Sequence, residues 1–390
     1  MPMIESCDIA IIGAGLVGAS LAAALAPSGL SVALVEPRAA AAPTDDWDSR
    51  IYAVSPGSVA FLADAGAWQG VDVQRIERVE AMCIFGDAPS AHLQFSAYEA
   101  GIRELAFIVE GGRLQSALWQ TVTRAPRVRV FCPVVCDALV QHANHTDVVL
   151  NGGTTLRAKL VVGADGAQSW VREQAGIKVN AHDYAQSAVV ANFSCGLPHR
   201  GTAFQWFRAD GILALLPLPG DRVSMVWSTE DTHAQTLLAL DANALAQSVC
   251  EASGGMVGEL GTITPAAAFP LRQQRVEAFV KPRLALVGDA AHNVHPLAGQ
   301  GVNLGFRDAR ELAAVLCDRG VQHDCGDYTL LRRYERARKE DVLSMQLATD
   351  GLQKLFASRA VWSSRARNSG MRLVESQPFI KNLLVKHAVA

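Results

Sequence analysis

The N-terminal stretch that ends at Glu36 constrains the fold most strongly, because it has the pattern of one complete β-α-β unit. A β-branched run at residues 8–12 predicts a strand buried on both faces, and Gly-Ala-Gly-Leu-Val-Gly follows directly at residues 13–18. Small residues up to about residue 26 predict a helix, and residues 31–35 predict a second strand. These elements in this order are typical of a dinucleotide-binding fold.

The three glycines of this unit meet different structural requirements. Gly13 permits the tight turn, Gly15 lets a pyrophosphate approach the backbone, and Gly18 lets helix and strand pack closely. The helix N-terminus offers free N–H groups and the positive end of its dipole to the phosphates. Glu36 would accept hydrogen bonds from the adenosine ribose and disfavour a 2′-phosphate. The sequence therefore predicts FAD or NAD, rather than NADP, as the tightly held dinucleotide.

Another motif, a strand that runs into an acidic turn, is predicted at residues 160–166, where Asp165 and Gly166 form the turn. A turn of this kind also ends many strands that bind no ligand. On its own it leaves two interpretations open, a cofactor contact and a plain strand end.

A third stretch combines a strand from residue 284, the turn Gly288-Asp289, a long glycine-containing loop and a helix predicted at residues 304–316. Asp289 is placed to bind a ribityl hydroxyl. The helix that opens after Gly301 would stabilise negative charge on a reduced flavin ring. Such a long loop between strand and helix favours a bound ligand.

The middle of the chain has a different pattern, with strand-like runs at residues 76–98 and 183–230. This pattern predicts an antiparallel sheet laid on the dinucleotide-binding domain. We predict an FAD-binding domain formed by residues 1–75, 100–182 and 270–325, a substrate domain formed by residues 76–99 and 183–269, and a C-terminal helical region at residues 326–390. Residues 49–62 are predicted to be helical.

Composition excludes several classes of function. The formal net charge is -3, and the basic run at residues 332–339 is interleaved with glutamates, so no nucleic-acid-binding face is predicted. The 8 cysteines include no CxxC pair and no zinc-ligand spacing, so we expect a reduced, cytoplasmic compartment and no metal site. The uncharged residues 9–26 could match a membrane span in length, but their glycines and the acidic residues before them favour a strand and a helix.

In their order and spacing, the three motifs resemble those of the group A flavoprotein monooxygenases, the p-hydroxybenzoate hydroxylase-like enzymes. The resemblance extends from Asp8 to about Leu384 and is close for the bacterial ubiquinone-biosynthesis hydroxylases. The stretches that carry it are Ser49–Ser55, Phe107–Trp119, Tyr184–Gln186, Leu213–Leu218 and His295–Asn303. It implies an α/β fold, with a three-layer, Rossmann-like FAD-binding domain of the glutathione-reductase type, an inserted antiparallel-sheet substrate domain and C-terminal helices.

The resemblance also implies which residues bind the cofactor. They are Gly13, Gly15, Gly18, Glu36, Arg50, Arg113, Gln115, Asp165, Gly288, Asp289, Pro296, Gly299, Gly301, Val302 and Asn303. Within the flavin loop, Pro296, Gly299, Gln300 and Gly301 would line the isoalloxazine. The sequence departs from close relatives at Glu110-Gly111-Gly112, where they tend to have Glu-Asn. No catalytic acid or base is assigned, because packing explains His295 and turn stabilisation explains His292.

The function that the resemblance implies is hydroxylation of the aromatic ring of a polyprenylated ubiquinone precursor. NAD(P)H or another donor would reduce FAD, which would react with O₂ to a C4a-hydroperoxyflavin that transfers oxygen to the ring. Two alternatives stay open, a hydroxylase of another aromatic compound and a flavoprotein that does not hydroxylate. The second would be a prenyl reductase or a structural member of a biosynthetic complex.

A lipophilic aromatic substrate implies an apolar pocket. Candidates for the pocket wall or the sheet core are Phe204, Trp206, Leu213, Leu215 and Leu216. The C-terminal stretch from Met371 combines apolar residues with lysines. It is a candidate for peripheral contact with the inner membrane, for a contact in a biosynthetic complex or homo-oligomer, or for a helix on the FAD domain.

Overall fold

The computed structural model describes residues 3–40, 42–86, 92–293, 301–320, 323–357, 381 and 385 of the 390-residue chain. This part of the chain forms strands β1 (Met3–Ile12), β2 (Val32–Val35), β3 (Ile51–Val54), β4 (Glu77–Val79), β5 (Ala81–Phe85), β6 (His92–Ser96), β7 (Ala106–Glu110), β8 (Val128–Phe131), β9 (Cys136–Gln141), β10 (Thr146–Leu150), β11 (Thr154–Gly163), β12 (Val179–Cys195), β13 (Thr202–Arg208), β14 (Gly211–Leu218), β15 (Arg222–Glu230), β16 (Leu260–Thr262), β17 (Ala267–Val276), β18 (Val280–Lys281), β19 (Leu284–Leu286) and β20 (His292–Asn293). Its helices are α1 (Leu16–Leu25), α2 (Pro56–Asp64), α3 (Ala97–Ala100), α4 (Gly111–Arg124), α5 (Trp170–Gln174), α6 (Asp231–Ala239), α7 (Ala242–Ala252), α8 (Gly301–Cys317) and α9 (Tyr328–Ala357).

The predicted β-α-β unit is present as β1, α1 and β2, and its two strands pair in parallel. Residues 9–12 of β1 are buried on both faces, with Ile9, Ala10 and Ile11 fully inaccessible, whereas its first residues are partly exposed. Helix α1 consists mainly of small and apolar residues on all sides, and it packs against both α4 and α8. The uncharged stretch at residues 9–26 is therefore a buried strand, a turn and a buried helix, as predicted. No described helix has the length and apolar character that spanning a membrane requires.

The first sheet has a parallel core in the order β8-β2-β1-β11-β19, with β18 antiparallel at one edge. Strand β11 has two neighbours on its second side. Residues 155–158 of β11 pair with β10 of the β9–β10 hairpin, and residues 161–163 pair with β19. The acidic turns after β11 and β19 therefore end adjacent parallel strands, at the carboxyl edge of the sheet where ligands of such folds bind.

The second sheet has the order β20-β17-β12-β15-β14-β13-β5-β6, and β16 also pairs with β12. Its neighbours are antiparallel except for β13 and β5, which pair in parallel. Helices α6 and α7 cover an apolar core on one face of this sheet. The predicted antiparallel sheet thus recruits β5 and β6 from a distant part of the sequence, and the division of the chain into domains remains a prediction.

A small third sheet, β3-β7-β4, corrects the helix predicted at residues 49–62. Residues 51–54 pair with β7, and the helix begins only at Pro56. The Ser55 side chain caps it by accepting the N–H of Ser58, and proline fits the first helical position because no N–H is needed there. Arg50 therefore precedes a strand and does not lie on a helix.

Candidate functional site

A cavity of about 1700 Å³ is lined by residues from all three sheets. Pockets for small ligands usually measure roughly 300–1,000 Å³, so this cavity has room for a dinucleotide together with a second molecule. One end meets the glycine turn after β1 and the acidic turns after β11 and β19. The other end meets apolar side chains of the second sheet.

The three glycines in and after the turn that follows β1 have different surroundings, two of them close-packed and one open. Gly13 has φ +101°, and a Cβ there would overlap the backbone of Ala164. A Cβ on Gly18 would overlap the carbonyl oxygen of Gly13. Around Gly15, at the N-cap of α1, a Cβ would meet nothing within 4 Å, and this residue lines the cavity. The turn is thus held by two glycines, and the third leaves free space beside the helix N-terminus for a phosphate.

Glu36 at the end of β2 also lines the cavity. Its carboxylate accepts the N–H of Ala14 at 2.8 Å and the N–H of Arg38 at 3.1 Å. These bonds fix the side chain across the glycine turn. A carboxylate offers about four lone-pair sites, so acceptor capacity remains for ribose hydroxyls.

The carboxylate of Asp165 is only half satisfied by the protein. Its Oδ2 accepts the N–H of Val171 at 2.9 Å, whereas its buried Oδ1 has no hydrogen-bond partner among the described residues. Burial raises the pKa of this carboxyl group above its usual value. A buried acceptor without a donor is unusual in proteins, and this one lines the cavity, where a cofactor hydroxyl could donate to it.

Asp289 follows β19 in a short 3-10 turn, Gly288–Ala290, and its side chain is accessible through the cavity. Burial among protein groups raises the pKa of its carboxyl group. The charge of Asp308 adds to this effect and that of His292 opposes it. The free space at Gly15, the unpaired oxygen of Asp165 and the accessible carboxylate of Asp289 leave this end of the cavity able to accommodate a dinucleotide.

Helix α8 begins at the cavity, where Gly301, Val302 and Asn303 are all lining residues. The buried Asn303 side chain joins this helix to β3 and to the residue that precedes α2. Its Oδ1 accepts the N–H of Ser55, and its Nδ2 donates to the carbonyl of Ala53, both at 2.9 Å. The predicted flavin-loop residues His295, Pro296, Gly299 and Gln300 lie outside the described residues.

Replacing Asn303 with alanine is expected to lower the free energy of unfolding by about 1–3 kcal/mol, because it leaves two main-chain groups without partners. Denaturant unfolding followed by circular dichroism would measure the loss. Asn151→Ala is the matched control, since its Oδ1 accepts a single exposed N–H, that of Val135. Equal losses of stability in the two variants would contradict the assignment of Asn303 as a link between α8 and β3.

Of the remaining predicted cofactor residues, two line the cavity and one does not. Gln115 lines the cavity and donates to the carbonyl of Ala14 at 2.6 Å. Arg50 also lines it, with its guanidinium 5.1 Å from the ring centroid of Phe269. The structure does not bring Arg113 to the cavity lining.

Arg113 is engaged elsewhere. Its guanidinium pairs with Glu110 at 3.0 Å and donates to the carbonyl of Thr44. Glu110 is 1% exposed and also pairs with Arg75 at 2.8 Å. The two arginines compensate one buried carboxylate, so Arg113 is explained by an ion pair that supports the site from outside.

A buried ionic network beneath the Gly288-Asp289 turn was not predicted from the sequence. Oδ2 of Asp308 accepts the N–H of Gly288 at 2.8 Å and lies 2.6 Å from Nε2 of His292. Its Oδ1 accepts from Nε of Arg338 at 2.7 Å. Burial opposes ionisation of Asp308, but His292 and Arg338 outweigh it and lower the pKa of the carboxyl group. The network ties the acidic turn to α8 and α9, which agrees with the turn-stabilising role predicted for His292.

The apolar end of the cavity follows the alternation of side chains along β13 and β14. Phe204, Trp206, Leu213 and Leu215 face the core under α6 and α7, whereas Leu216 lines the cavity. The cavity wall is formed by side chains of the opposite face, among them Phe207, Ile212 and Ala214. Of the five pocket candidates, four thus belong to the core, because side chains of a strand alternate between its two faces.

Comparison with known proteins identifies the family. The sequence matches the FAD binding domain family over residues 6–346. The chain belongs to this family. A 3-demethoxyubiquinol 3-hydroxylase of Escherichia coli (strain K12) is 37% identical over 391 residues, which cover 99% of each chain. The ubiquinone hydroxylase UbiL of Rhodospirillum rubrum is 34% identical, and the alignment covers 98% of this chain and 89% of the relative.

Solved structures share the fold of this FAD-binding family member. The p-nitrophenol 4-monooxygenase PnpA from Pseudomonas putida superposes with a TM-score of 0.79 at 15% identity, covering 99% of each chain. The predicted hydroxylase family, the α/β fold with its antiparallel sheet, the FAD cofactor and the class of flavin-dependent monooxygenases are confirmed. Enzymes of this class use O₂ and an aromatic substrate.

Proposed function

We propose that this chain hydroxylates the aromatic ring of a ubiquinone precursor that carries a prenyl tail. The relatives from Escherichia coli and Rhodospirillum rubrum, aligned over nearly the whole chain, are named as ubiquinone-pathway hydroxylases. The observation that carries the proposal is the cavity, which is continuous from the glycine turn to the apolar face of the second sheet. One cavity would therefore hold the cofactor and a lipophilic ring together.

The polar end of the cavity would hold the cofactor. The α1 N-terminus at Gly15 would bind the diphosphate, Glu36 the ribose, and Asp165 and Asp289 the hydroxyls of the ribityl chain. The bound FAD supplies the redox chemistry and activates O₂ with electrons from NAD(P)H or another donor. Further proposed contacts are Gly13, Arg50, Gln115, Pro296, Gly299, Gln300, Gly301, Val302 and Asn303. Gly18 and Gly288 would act through the turns that they form, since neither lines the cavity.

The apolar end would position the ring and exclude water from it. Met82 and Ile84 of β5, Phe207 of β13, and Ile212 and Leu216 of β14 contribute side chains to this wall. Apolar surroundings favour burial of a hydrocarbon tail and protect an oxidising intermediate from side reactions.

Replacing Ala214 with tryptophan is expected to block this end and leave the cofactor end intact. Ala214 lines the cavity from β14, so a large side chain there would compete with the substrate ring. We expect the rate of product formation to fall by at least about tenfold, with unchanged FAD content in the purified protein. The control is Gln94→Trp, an exposed position on β6 next to the cavity-lining Phe95. Equal activity of the two variants would contradict a substrate at this wall.

The reaction itself is tested by profiling prenylated quinones in cells that lack this gene. We expect one prenylated precursor to accumulate that lacks a single ring oxygen, and its structure would identify the hydroxylated carbon. When the purified protein is supplied with this precursor, a reductant and ¹⁸O-labelled O₂, the hydroxylated product should carry one labelled oxygen atom.

The alternatives give different results in the same experiments. An unchanged quinone profile, in cells without a redundant hydroxylase, would favour another aromatic substrate. Reduction of a prenyl chain without labelled oxygen would indicate a prenyl reductase. Cofactor reduction and reoxidation without any oxygenated product would favour a structural member of a biosynthetic complex.

We also propose that the protein contacts the inner membrane peripherally, because a prenylated substrate resides there. Val385 lines the cavity, and Lys381 pairs with Glu99 of α3 at 3.6 Å, so the described C-terminal residues lie beside the apolar end. The other residues of the predicted segment from Met371 lie outside the described residues. Flotation with vesicles of inner-membrane lipids would test the contact, and light scattering would test the predicted homo-oligomer.

A further inference from the structure

Three potential metal ligands meet at the tip of the β9–β10 hairpin, on the part of it farthest from the cavity. His142 and His145 lie in the loop between these strands, and Asp147 is the second residue of β10. Nε2 of His142 lies 3.6 Å from Oδ2 of Asp147, and Nε2 of His145 lies 3.5 Å from Oδ1. The three ligand atoms all lie within 4.8 Å of one another.

The surroundings of His145 support a bound cation. Its Nδ1 lies 2.6 Å from Oδ1 of Asn144, a contact that orients the ring. Its buried Nε2 has no hydrogen-bond partner among the described residues, although it lies 3.5 Å from Oδ1 of Asp147. A cation between these two atoms would contact both of them. Metal-binding histidines are commonly oriented by a hydrogen bond of this kind at their other nitrogen.

The other contacts of the cluster are compatible with one shared ion. The two imidazole rings are stacked with centroids 4.4 Å apart, so a single ion can lie close to both. Arg157 donates two hydrogen bonds of 2.9 Å to Asp147 and orients its carboxylate. Each of its oxygens retains acceptor capacity for a metal.

The loop that carries the histidines is held in place. The N–H of His142 donates to the carbonyl of His145 at 2.9 Å, which closes the hairpin turn. On the outer side, the carbonyl of Ala143 accepts from Nε of Arg283, also at 2.9 Å. Binding would therefore order few additional groups, which favours affinity.

We propose that His142, His145 and Asp147 bind a divalent transition-metal ion of the Zn²⁺ class. Two imidazoles and one carboxylate are ligands that Zn²⁺ accepts at about 2.0–2.2 Å, with a water molecule in the fourth position. On this hairpin and the segment before it, the cavity is lined by Val134, Val135 and Cys136, at the end opposite the loop. The ion would accordingly stabilise the hairpin and take no part in hydroxylation. Cysteine spacing could not reveal this site, because its ligands are two histidines and an aspartate with the spacing His-x-x-His-x-Asp.

The test is calorimetric titration of the tag-free, FAD-loaded full-length protein with ZnCl₂ after treatment with a chelator. Cys317→Ser is included throughout, because Cys317 is an exposed thiol that could bind zinc on its own. We expect one Zn²⁺ per chain, and a loss of affinity of about tenfold or more in His145→Ala. The control is His323→Ala, an exposed histidine 3.9 Å from Asp327, which should bind as the unmodified protein does.

Arg157→Gln separates the metal site from a purely structural cluster. Arg157 competes with the metal for Asp147, so its removal should tighten Zn²⁺ binding severalfold even if the apoprotein becomes less stable. Zn²⁺ should also raise the melting temperature of the unmodified protein and leave that of His145→Ala unchanged. Binding without stoichiometry, equal affinity of His145→Ala, or weaker binding by Arg157→Gln would each overturn the proposal.

Discussion

Asp308→Asn is expected to lower the free energy of unfolding by about 3–5 kcal/mol, the range for breaking a buried ion pair. Asp308 is fully buried, and its carboxylate serves Arg338, His292 and the N–H of Gly288 together. An asparagine would remove the buried carboxylate beside Arg338 and leave its guanidinium with Asp341, 2.5 Å away, as its carboxylate partner. Because Gly288 begins the turn that carries Asp289, FAD affinity should fall as well.

Chemical denaturation of the FAD-free proteins would measure the loss of stability, and titration with FAD would measure the loss of affinity. Asp318→Asn is the matched control, because this aspartate pairs with Arg333 at 3.0 Å but is 79% exposed. Exposed pairs contribute at most about 1 kcal/mol. A loss at Asp308 no larger than the loss at Asp318 would show that the network does not support the turn.

The same carboxyl group should make stability depend on pH in the acid range. The pKa of Asp308 is lower in the folded protein than its unfolded value of about 3.9, so the unfolded chain takes up the proton first as pH falls. Its contribution is complete above about pH 4–5 and is lost as the pH falls further toward the folded pKa. The difference in stability between the unmodified protein and Asp308→Asn should therefore narrow at acid pH, and a constant difference would contradict the assignment.

Two glycine variants should separate folding from cofactor binding. Gly18→Ala is expected to cost more than about 3 kcal/mol, beyond ordinary overpacking, because its Cβ would overlap the backbone oxygen of Gly13. Gly15→Ala should fold normally, since φ -64° and ψ -175° suit alanine and a Cβ there meets nothing within 4 Å. The methyl group would instead occupy the space assigned to the diphosphate, and FAD affinity should fall by about tenfold, or 1.4 kcal/mol.

Circular dichroism would establish whether each variant folds, and fluorescence titration of the apoprotein would give the FAD dissociation constant. Normal FAD affinity in Gly15→Ala would mean that the diphosphate lies elsewhere. A fully stable Gly18→Ala would contradict the close packing between α1 and the preceding turn.

Local sequence pattern was sufficient to predict the β-α-β unit and the acidic turns that hold Asp165 and Asp289. Each of these features depends on neighbouring residues, namely a buried strand, glycine spacing and a turn. The strand at residues 51–54 was mistaken for helix because only its pairing with β7 makes it extended.

Features that depend on distant partners were not predictable in the same way. Arg113 pairs with Glu110 only three residues before it, but the second partner of Glu110, Arg75, is distant in the sequence. The sequence predicts that side chains of β14 alternate between the two faces of the sheet. Which face meets the cavity depends on α6 and α7, which cover the other face, so the sequence could not show that Leu216 lines the cavity and Leu215 the core. The network around Asp308 likewise unites two helices and a turn that are separate in the sequence.

The strand order of the two large sheets bears on synthesis of the chain at the ribosome. Strand β5 has no neighbour beyond β6 until β13 (Thr202–Arg208) is synthesised, and residues 161–163 of β11 have no neighbour in β19 until Leu286 is reached. Until these strands are made, the growing chain presents an open edge on the β5–β6 hairpin and another on β11, and such edges can pair with other chains. A chain that ends before residue 286 should therefore aggregate more readily than the full-length chain.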